Sequence, residues 1–165
     1  MTLDRASVSI RDLAIGDAGW LIQRHAELYA RDDGFDASFE ALVAEILADH
    51  IRTRDPSCER AFIAHASERR LGSVFCCKGG APGLARLRLF LLEPEARGIG
   101  LGRQLLEECM GYARESGYSA MWLWTHESHR AACALYLKAG FTCTETKPVH
   151  SFGQELVEQR WEIAL

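Results

Sequence analysis

The chain has 165 residues, of which 48% are hydrophobic and 25% charged, and its formal net charge at pH 7 is −4. These values are ordinary for a globular protein, and the length predicts one domain over residues 1–165. The negative balance argues against direct binding of nucleic acid and mildly favours a cationic partner. The sequence shows neither a long apolar run nor a signal-like N-terminus, so we expect a cytoplasmic protein that does not cross a membrane.

The first third of the chain predicts one strand followed by two helices. Val8 and Ile10 alternate with polar neighbours, which indicates a strand from residue 7 to residue 13. A helix is expected over about 18–30, followed by a loop of turn residues from Arg31 to Asp36. Ser38 is the expected cap of the second helix, because apolar residues follow it at helical spacing: Phe39, Leu42, Val43, Ile46 and Leu47.

The middle of the chain predicts strands. After a polar linker over residues 52–59, two strands over residues 60–65 and 71–77 are expected to form a hairpin with a five-residue loop. In the next strand, Leu87, Leu89 and Leu91 alternate with other residues, and Pro94 ends the strand because proline has no N–H for a ladder.

The remaining elements predict a mixed α/β fold. A helix over residues 98–116 is expected to stop at Gly117, and an apolar strand over 120–125 completes a parallel β-α-β unit. A helix over 128–139, ended by Gly140, a strand over 141–146, a loop over 147–153 and an apolar closing segment over 155–165 follow.

The stretch between the central strand and the 98–116 helix predicts an anion site. It consists of Arg97, Gly98, Ile99, Gly100, Leu101, Gly102 and Arg103. Glycines let a ligand approach the first N–H groups of a helix, which lack internal partners and carry the positive end of the dipole, and the flanking arginines add charge. A turn whose glycines serve only close packing is the alternative. A dinucleotide fingerprint does not fit, since residue 103 is Arg, and no Gly-Lys-Ser/Thr of a Walker loop occurs.

Two blocks of the sequence resemble the GCN5-related N-acetyltransferases. The first is Arg97-x-x-Gly100-x-Gly102, and the second, residues 131–141, is similar to that family's A-x-x-L-Y-x-x-x-G-F helix. The resemblance extends to the acetyltransferase half of proteins fused to MarR-type regulators, through residues 34–43, 71–75 and 150–153. It implies a largely antiparallel mixed sheet of about six or seven strands, flanked by about four helices, with a parallel unit at the cofactor site.

The resemblance also implies a cofactor and a reaction. Acetyl-CoA would bind with its pyrophosphate on residues 97–103, and the N–H of Leu91 or Leu92 would polarise the thioester carbonyl where the strand splays from its neighbour. Tyr136 matches the tyrosine that gives a proton to the leaving thiolate. The family commonly has Asn seven residues before that tyrosine, where it bonds the pantetheine arm; this chain has His129, whose imidazole can make one such bond.

The acceptor side is less defined by the sequence. Glu93, His126 and Glu127 are candidate general bases, and an ordered water is the alternative to all three. By resemblance, the first helix, the loop after it and residues 150–153 line the acceptor pocket, so Tyr29, Phe35 and His126 are its candidates. Phe39 is expected to lie mainly in the core.

Neither a metal site nor a disulfide is expected. Residues 126–129 read His-Glu-Ser-His, one residue short of the His-Glu-x-x-His pattern, with no obvious third ligand. None of the six cysteines forms Cys-x-x-Cys, which is typical of free thiols in a reducing compartment.

Two functions from different classes follow from these patterns. The first is an acetyl-CoA-dependent N-acetyltransferase that acts on a primary amine of a small molecule, amino acid or peptide, by direct attack in a ternary complex. The second is a non-catalytic module that senses acyl-CoA and acts on a protein partner. The resemblance also allows for a homodimer under either function, because members of that family often pair through their sheets or C-terminal strands.

Overall fold

The computed structural model describes residues 2–165. Four helices are present in this range: α1 (Asp17–Asp33), α2 (Ala37–Thr53), α3 (Leu101–Glu115) and α4 (Arg130–Ala139). The strands are β1 (Ser9–Arg11), β2 (Arg60–Ala66), β3 (Arg69–Lys78), β4 (Leu84–Leu92), β5 (Ala120–His126), β6 (Thr142–Ser151) and β7 (Gln154–Ala164). Short 3-10 turns lie at Arg5–Ser7 and Pro94–Ala96. None of the helices described over residues 2–165 has the length and apolarity needed to cross a membrane.

The strands form one mixed sheet in the order β1-β2-β3-β4-β5-β7-β6. Antiparallel pairing joins β1 to β2, β2 to β3 and β3 to β4, whereas β4 and β5 pair in parallel from Leu84–Ala120 to Arg86–Trp122. The α3 helix connects β4 to β5, so the expected β-α-β unit and the mixed, largely antiparallel sheet are both confirmed.

The chain divides into two compact units, each built from separate stretches. The first unit contains the N-terminal residues up to Leu13, Asp55–Leu123 and Glu162–Leu165, and the second contains Ala14–Arg54 and Trp124–Trp161. The single-domain organisation over residues 1–165 stays a prediction.

In the first unit, α3 packs on the sheet through one apolar face. Its buried residues are Leu101, Leu105, Leu106, Cys109, Met110 and Ala113. The Tyr112 ring meets Phe62 of β2 edge-on, with 5.7 Å between the ring centres. Truncation of one of these leucines to alanine would cost about 2 to 5 kcal/mol, so this face fixes the start of α3 against the strands.

In the second unit, α1 and α2 form a helical hairpin with a three-residue connection. Gly34 has φ +71° and ends α1, where its N–H donates to the carbonyl of Ala30. Asp36 then caps α2, because its side chain accepts the N–H of Ser38. The expectation that Ser38 is the cap is therefore wrong: Ser38 is the second residue inside the helix and supplies the donor.

Two other sequence boundaries are corrected by the structure. The third helix begins at Leu101 and not at residue 98, because Gly98 and Gly100 have φ values of +80° and +82°, which a right-handed helix does not allow. The expected loop at 147–153 is mostly strand: β6 runs to Ser151, and only Phe152 and Gly153 form the turn. Pro148 is tolerated there because β6 lies at the edge of the sheet.

The alternation expected in the central strand breaks at Leu89. Leu87 and Leu91 are buried, but Leu89 has φ +51° and is only half-buried. The register with β3 shifts at this point, from Ser73–Leu91 to Phe75–Arg88, which is a β-bulge in β4. The buried Ser73 hydroxyl donates to the carbonyl of Leu89 at 2.7 Å and so satisfies the polar group that the bulge frees.

Candidate functional site

In the first unit, the start of α3 lacks any cap from its own side chains. Gly100 is the N-cap residue, and its carbonyl accepts the first helical bond, from Gln104 N–H at 3.1 Å. Gly98 and Gly100 both lie in the left-handed region, and nothing lies within 4 Å of a Cβ built at Gly98. The first N–H groups of α3 therefore sit behind a loop that carries no side chain at these two positions, which is the arrangement that binds phosphate groups.

Three arginines surround this loop, and one of them was missed by sequence reasoning. Arg97 and Arg103 are exposed; the Arg97 guanidinium lies 3.5 Å from the Leu92 carbonyl, and Arg103 pairs with Glu107 at 2.7 Å. Arg5, in the first 3-10 turn, donates to the Gln104 side chain at 3.3 Å, and its Nη1 lies 3.2 Å from a Cβ built at Gly100. No local pattern marked Arg5, because it lies 99 residues from Gln104 in sequence.

The end of β4 precedes the loop and contains three predicted site residues. Leu91 and Leu92 pair with Ser73 and Gly72 of β3, so these two backbone units are held by the sheet. Glu93 follows them, with its N–H donating to the Leu71 carbonyl at 2.8 Å. Glu93 is only 8% exposed. A carboxylate at the end of a strand is usually solvated on the surface, and Glu93 is not.

In the second unit, the predicted acceptor residues lie in one cluster of aromatic rings and imidazoles. We call it the aromatic–histidine cluster; its members are Tyr29, Phe35, Phe39, His126, His129 and Phe152. The ring centres of Tyr29 and Phe35 are 5.5 Å apart, and those of Phe35 and His126 are also 5.5 Å apart. The structure thus brings together Tyr29, Phe35 and His126, the three residues that the sequence predicted for the acceptor pocket.

Phe152 enters this cluster through the turn between β6 and β7. Phe152 has φ +55°, which is unfavourable for a residue with a side chain, and its carbonyl accepts the N–H of Asp36 at 3.0 Å. Gln154 donates to the Gly34 carbonyl at 3.0 Å. These bonds fix the turn on the connection between α1 and α2. The sequence indicated residues 150–153 as part of the pocket, but it did not single out Phe152.

His129 has a carboxylate partner. Its Nε2 lies 3.1 Å from Oδ2 of Asp33, at the last residue of α1, and its Nδ1 lies 3.4 Å from the hydroxyl of Thr125. Asp33 was also missed by sequence reasoning, because 96 residues separate the pair. His129 is the N-cap residue of α4, and its side chain makes no capping bond there.

His126 differs from His129 in its environment. Burial lowers the pKa of His126 to about 4, helped by His129 and opposed by Asp33. Its Nδ1 is buried and has no hydrogen-bond partner among the residues described. His126 therefore stays neutral near pH 7. Glu127, the other candidate base nearby, is exposed, and its N–H donates to the Val157 carbonyl at 2.8 Å.

Tyr136 lies on α4, two helical turns after His129. Tyr136 is only 3% exposed, and the centre of its ring lies 5.7 Å from that of Phe141 and 6.4 Å from that of Trp161. The ring is thus part of the core of the second unit, which is compatible with either a structural or a catalytic hydroxyl.

Residues 2–165 contain no group of three or more His, Cys, Asp or Glu side chains arranged to hold a metal ion. The six cysteines are free, with Cys76 and Cys109 buried and the other four half-buried.

The comparisons with known proteins define the family. The Acetyltransferase (GNAT) family matches residues 22–141, more than half of the chain, so the chain belongs to this family, whose members use acetyl-CoA. An uncharacterised N-acetyltransferase of Schizosaccharomyces pombe is 32% identical over 118 residues, 71% of this chain and 72% of that protein. A mycothiol acetyltransferase of Geodermatophilus obscurus is 32% identical over 87 residues, which cover 49% of this chain and only 28% of that protein.

Solved structures show the same fold at low identity. Ribosomal-protein-alanine N-acetyltransferase from Brucella melitensis aligns with a TM-score of 0.76 and 20% identity, over 95% of this chain and 99% of that one. A Salmonella typhimurium protein solved with its cofactor acetyl-CoA gives 0.71 and 20%, over 96% and 94%. Spermidine N-acetyltransferase from Vibrio cholerae, in complex with CoA and spermine, gives 0.72 and 19%, over 97% and 96%.

Proposed function

We propose that this protein transfers an acetyl group from acetyl-CoA to a primary amine by direct attack in a ternary complex. The observation that carries the proposal is the uncapped start of α3 behind Gly98 and Gly100, in a chain that belongs to an acetyltransferase family. The pyrophosphate of the cofactor would accept the free N–H groups of α3, with Arg97, Arg103 and Arg5 adding positive charge.

The chemical step needs a polarised carbonyl and a proton donor. The N–H of Leu91 or Leu92 is the proposed donor to the thioester oxygen, because pairing with β3 holds this backbone without any movement at the moment of reaction. Tyr136 is the proposed acid that protonates the CoA thiolate, as the resemblance implies. Attack by the amine nitrogen forms the C–N bond, and collapse of the intermediate breaks the C–S bond. The proton that the nitrogen then loses restores the Tyr136 hydroxyl, so the proton gained by the thiolate is balanced.

The acceptor is proposed to bind at the aromatic–histidine cluster of the second unit. The Phe35 ring lies beside the neutral His126, and the Asp33 carboxylate contacts His129 of the same cluster. This combination suits an amine with an apolar body, since the rings would contact the body and the carboxylate would attract the charge. The relatives suggest three probes of different chemistry: spermidine, a peptide with N-terminal alanine, and the amine precursor of mycothiol.

Calorimetric titration of acetyl-CoA into the wild type and two glycine variants tests the cofactor site. Gly100→Glu should weaken binding at least tenfold, because a carboxylate would repel the pyrophosphate. Gly80→Glu is the matched control: Gly80 has φ +93° and open space around it, so strain and charge are similar, but it lies in the turn before β4. Equal binding by Gly100→Glu and the wild type would contradict the proposed phosphate site.

Release of CoA thiol across an amine panel then tests turnover. Acceptor-dependent release supports the enzyme. Saturable binding of acetyl-CoA without release of CoA thiol in the presence of any primary amine would contradict the enzyme. That result would favour the sensing module, which was suggested by the resemblance to the acetyltransferase half of MarR fusions.

A further inference from the structure

Asp33 and His129 form a partly buried hydrogen-bonded pair that the sequence did not reveal. The side chains of His129 and Asp33 are only 17% and 13% exposed, and the contact of 3.1 Å is a full hydrogen bond. A carboxylate at this depth attracts the imidazole more strongly than a pair in open solvent does, because water screens it less. The inference drawn from this pair rests on the proposed acetyl transfer.

The contact with Asp33 selects one tautomer of His129. A carboxylate only accepts, so Nε2 carries the proton and donates it to Oδ2 of Asp33. Nδ1 is then left with its lone pair and can accept a proton. Thr125 faces Nδ1 at 3.4 Å and is 9% exposed, so its hydroxyl can donate to Nδ1 and connect it to a neighbouring group.

The groups around His129 do not compete for this proton. Tyr29 of α1 meets the ring edge-on at 4.8 Å, and His126 of β5 meets it edge-on at 5.5 Å, both between ring centres. His126 is neutral near pH 7 because burial opposes its charging. Among the titratable groups described around the ring, the negative charge therefore comes from Asp33.

The position of His129 on α4 adds a second argument. Seven residues separate it from Tyr136, which corresponds to about 10 Å along a helix and to the same side of it. The α4 helix thus has a group able to accept a proton at its start and a hydroxyl able to donate one two turns later.

We propose that His129 is the general base that takes the proton from the acceptor ammonium, with Asp33 as its positioning residue. In this step the N–H bond of the ammonium breaks, its electron pair stays on nitrogen, and a new N–H bond forms at Nδ1, directly or through the Thr125 hydroxyl. The neutral amine then attacks the thioester. Asp33 stabilises the imidazolium, which passes its proton to solvent after the acetyl group has moved.

His129→Asn separates this role from cofactor binding. Asn is the residue that the resembling family commonly has here, so it can bond the pantetheine arm. Asn is also a favourable N-cap residue, so the start of α4 should not be weakened. The variant lacks a basic nitrogen, however. We expect acetyl-CoA to bind within about twofold of the wild type, while kcat at pH 7 falls about 100-fold.

The pH profile gives a readout that a structural role would not change. For the wild type, kcat/KM for the amine should fall on the acid side, because a base that already holds a proton cannot take one from the ammonium. For His129→Asn, log kcat/KM should rise with unit slope towards the pKa of the amine, because only free amine reacts. The activity of this variant should therefore recover at high pH.

Asp33→Asn should lower kcat about tenfold and move the acid limb of the pH profile. Asp32→Asn, an exposed neighbour paired with Arg31, is the matched control and should leave the profile unchanged.

Three results would overturn the assignment in different ways. If the wild type turns over and His129→Asn matches its kcat at every pH, the base lies elsewhere and the acetyltransferase proposal stands. If Asp32→Asn changes the acid limb as much as Asp33→Asn does, the effect is general electrostatics and not the pair. If the wild type binds acetyl-CoA but acetylates no amine, both proposals are rejected together.

Discussion

Arg5 lies beside the first turn of α3, although it belongs to a 3-10 turn near the N-terminus and is 99 residues from Gln104 in sequence. Its guanidinium bonds the Gln104 side chain and sits next to Gly100, where a phosphate would bind. A guanidinium in this place adds a charge-assisted contact to the cofactor without contacting the acetyl group. The N-terminal residues are therefore part of the proposed phosphate site.

Substitution of Arg5 should affect only phosphate-bearing ligands. Arg5→Ala should weaken acetyl-CoA binding about fivefold, with a larger loss at low salt, since the contact is exposed and screened. Acetyl-pantetheine lacks the phosphates, so its affinity should not change. Arg114→Ala, at the opposite end of α3, is the control for net charge. Calorimetry with both ligands measures these values, and an equal loss for both ligands would contradict a phosphate contact.

Sequence reasoning at the residue scale was reliable for local chemistry and weak for distant pairs. Gly117 has φ +91° and Gly140 has φ +101°, so both helix stops predicted from a single glycine are confirmed. Asp33 and Arg5 could not be found in this way, because each acts on a residue more than 90 positions away in the chain. Only the folded chain brings such groups within hydrogen-bond distance.

At the scale of elements, the contact between β3 and β4 fixes the backbone proposed to polarise the thioester. A Cβ built at Gly72 would lie 2.7 Å from the Leu91 carbonyl oxygen and 2.9 Å from the Leu92 side chain. Such distances are shorter than van der Waals contact, so the two strands approach this closely only because residue 72 is glycine.

Two glycine substitutions should have opposite effects on stability. Gly72→Ala should lower the free energy of unfolding by about 2 kcal/mol, because the clash is with backbone that cannot move away. Gly111→Ala, inside α3 with nothing within 4 Å of the new Cβ, should raise it by up to about 1 kcal/mol. Chemical denaturation measures both changes. Stabilisation by Gly72→Ala would show that the strands tolerate a wider spacing.

The type and order of the helices and long strands were predictable, but their ends often were not. The apolar spacing of α3, the alternation in β4 and the apolar run of β5 predicted the β-α-β unit, because all three patterns are local in sequence. The extension of β6 to Ser151 was not visible, because its sequence contains Pro148 and mostly polar residues and its strand form comes from pairing. The bulge at Leu89 was hidden for a similar reason: the leucine fits the apolar pattern, and only the register with β3 displaces it.

For the whole molecule, buried histidines make stability depend on pH. His25 is 2% exposed; its Nδ1 lies 2.8 Å from the Leu21 carbonyl, and its Nε2 is buried without a partner among the residues described. Burial lowers the pKa of His25 from 6.5 to about 4. The unfolded chain therefore binds a proton at a higher pH than the folded chain does, and acid favours unfolding.

Between pH 6.5 and pH 4, we expect the free energy of unfolding to fall, by about 3 kcal/mol from His25 alone. His126 acts in the same direction. His25→Leu, of similar size and without the polar nitrogens, should flatten this dependence, and His65→Gln, in β2, is the control. Urea denaturation across this pH range measures the slope. Identical slopes for the wild type and His25→Leu would show that other groups control acid unfolding.

The division into two units has a consequence for the evolutionary modularity of this chain. The polypeptide passes from one unit to the other after Leu13, Arg54, Leu123 and Trp161, so neither unit is a contiguous stretch. A recombination event with one or two crossover points cannot exchange the second unit, which contains the aromatic–histidine cluster, while leaving the phosphate loop intact. Under the proposed acceptor site, a change that involves both residues 14–54 and residues 124–161 cannot be acquired as one contiguous cassette without also replacing the phosphate loop between them.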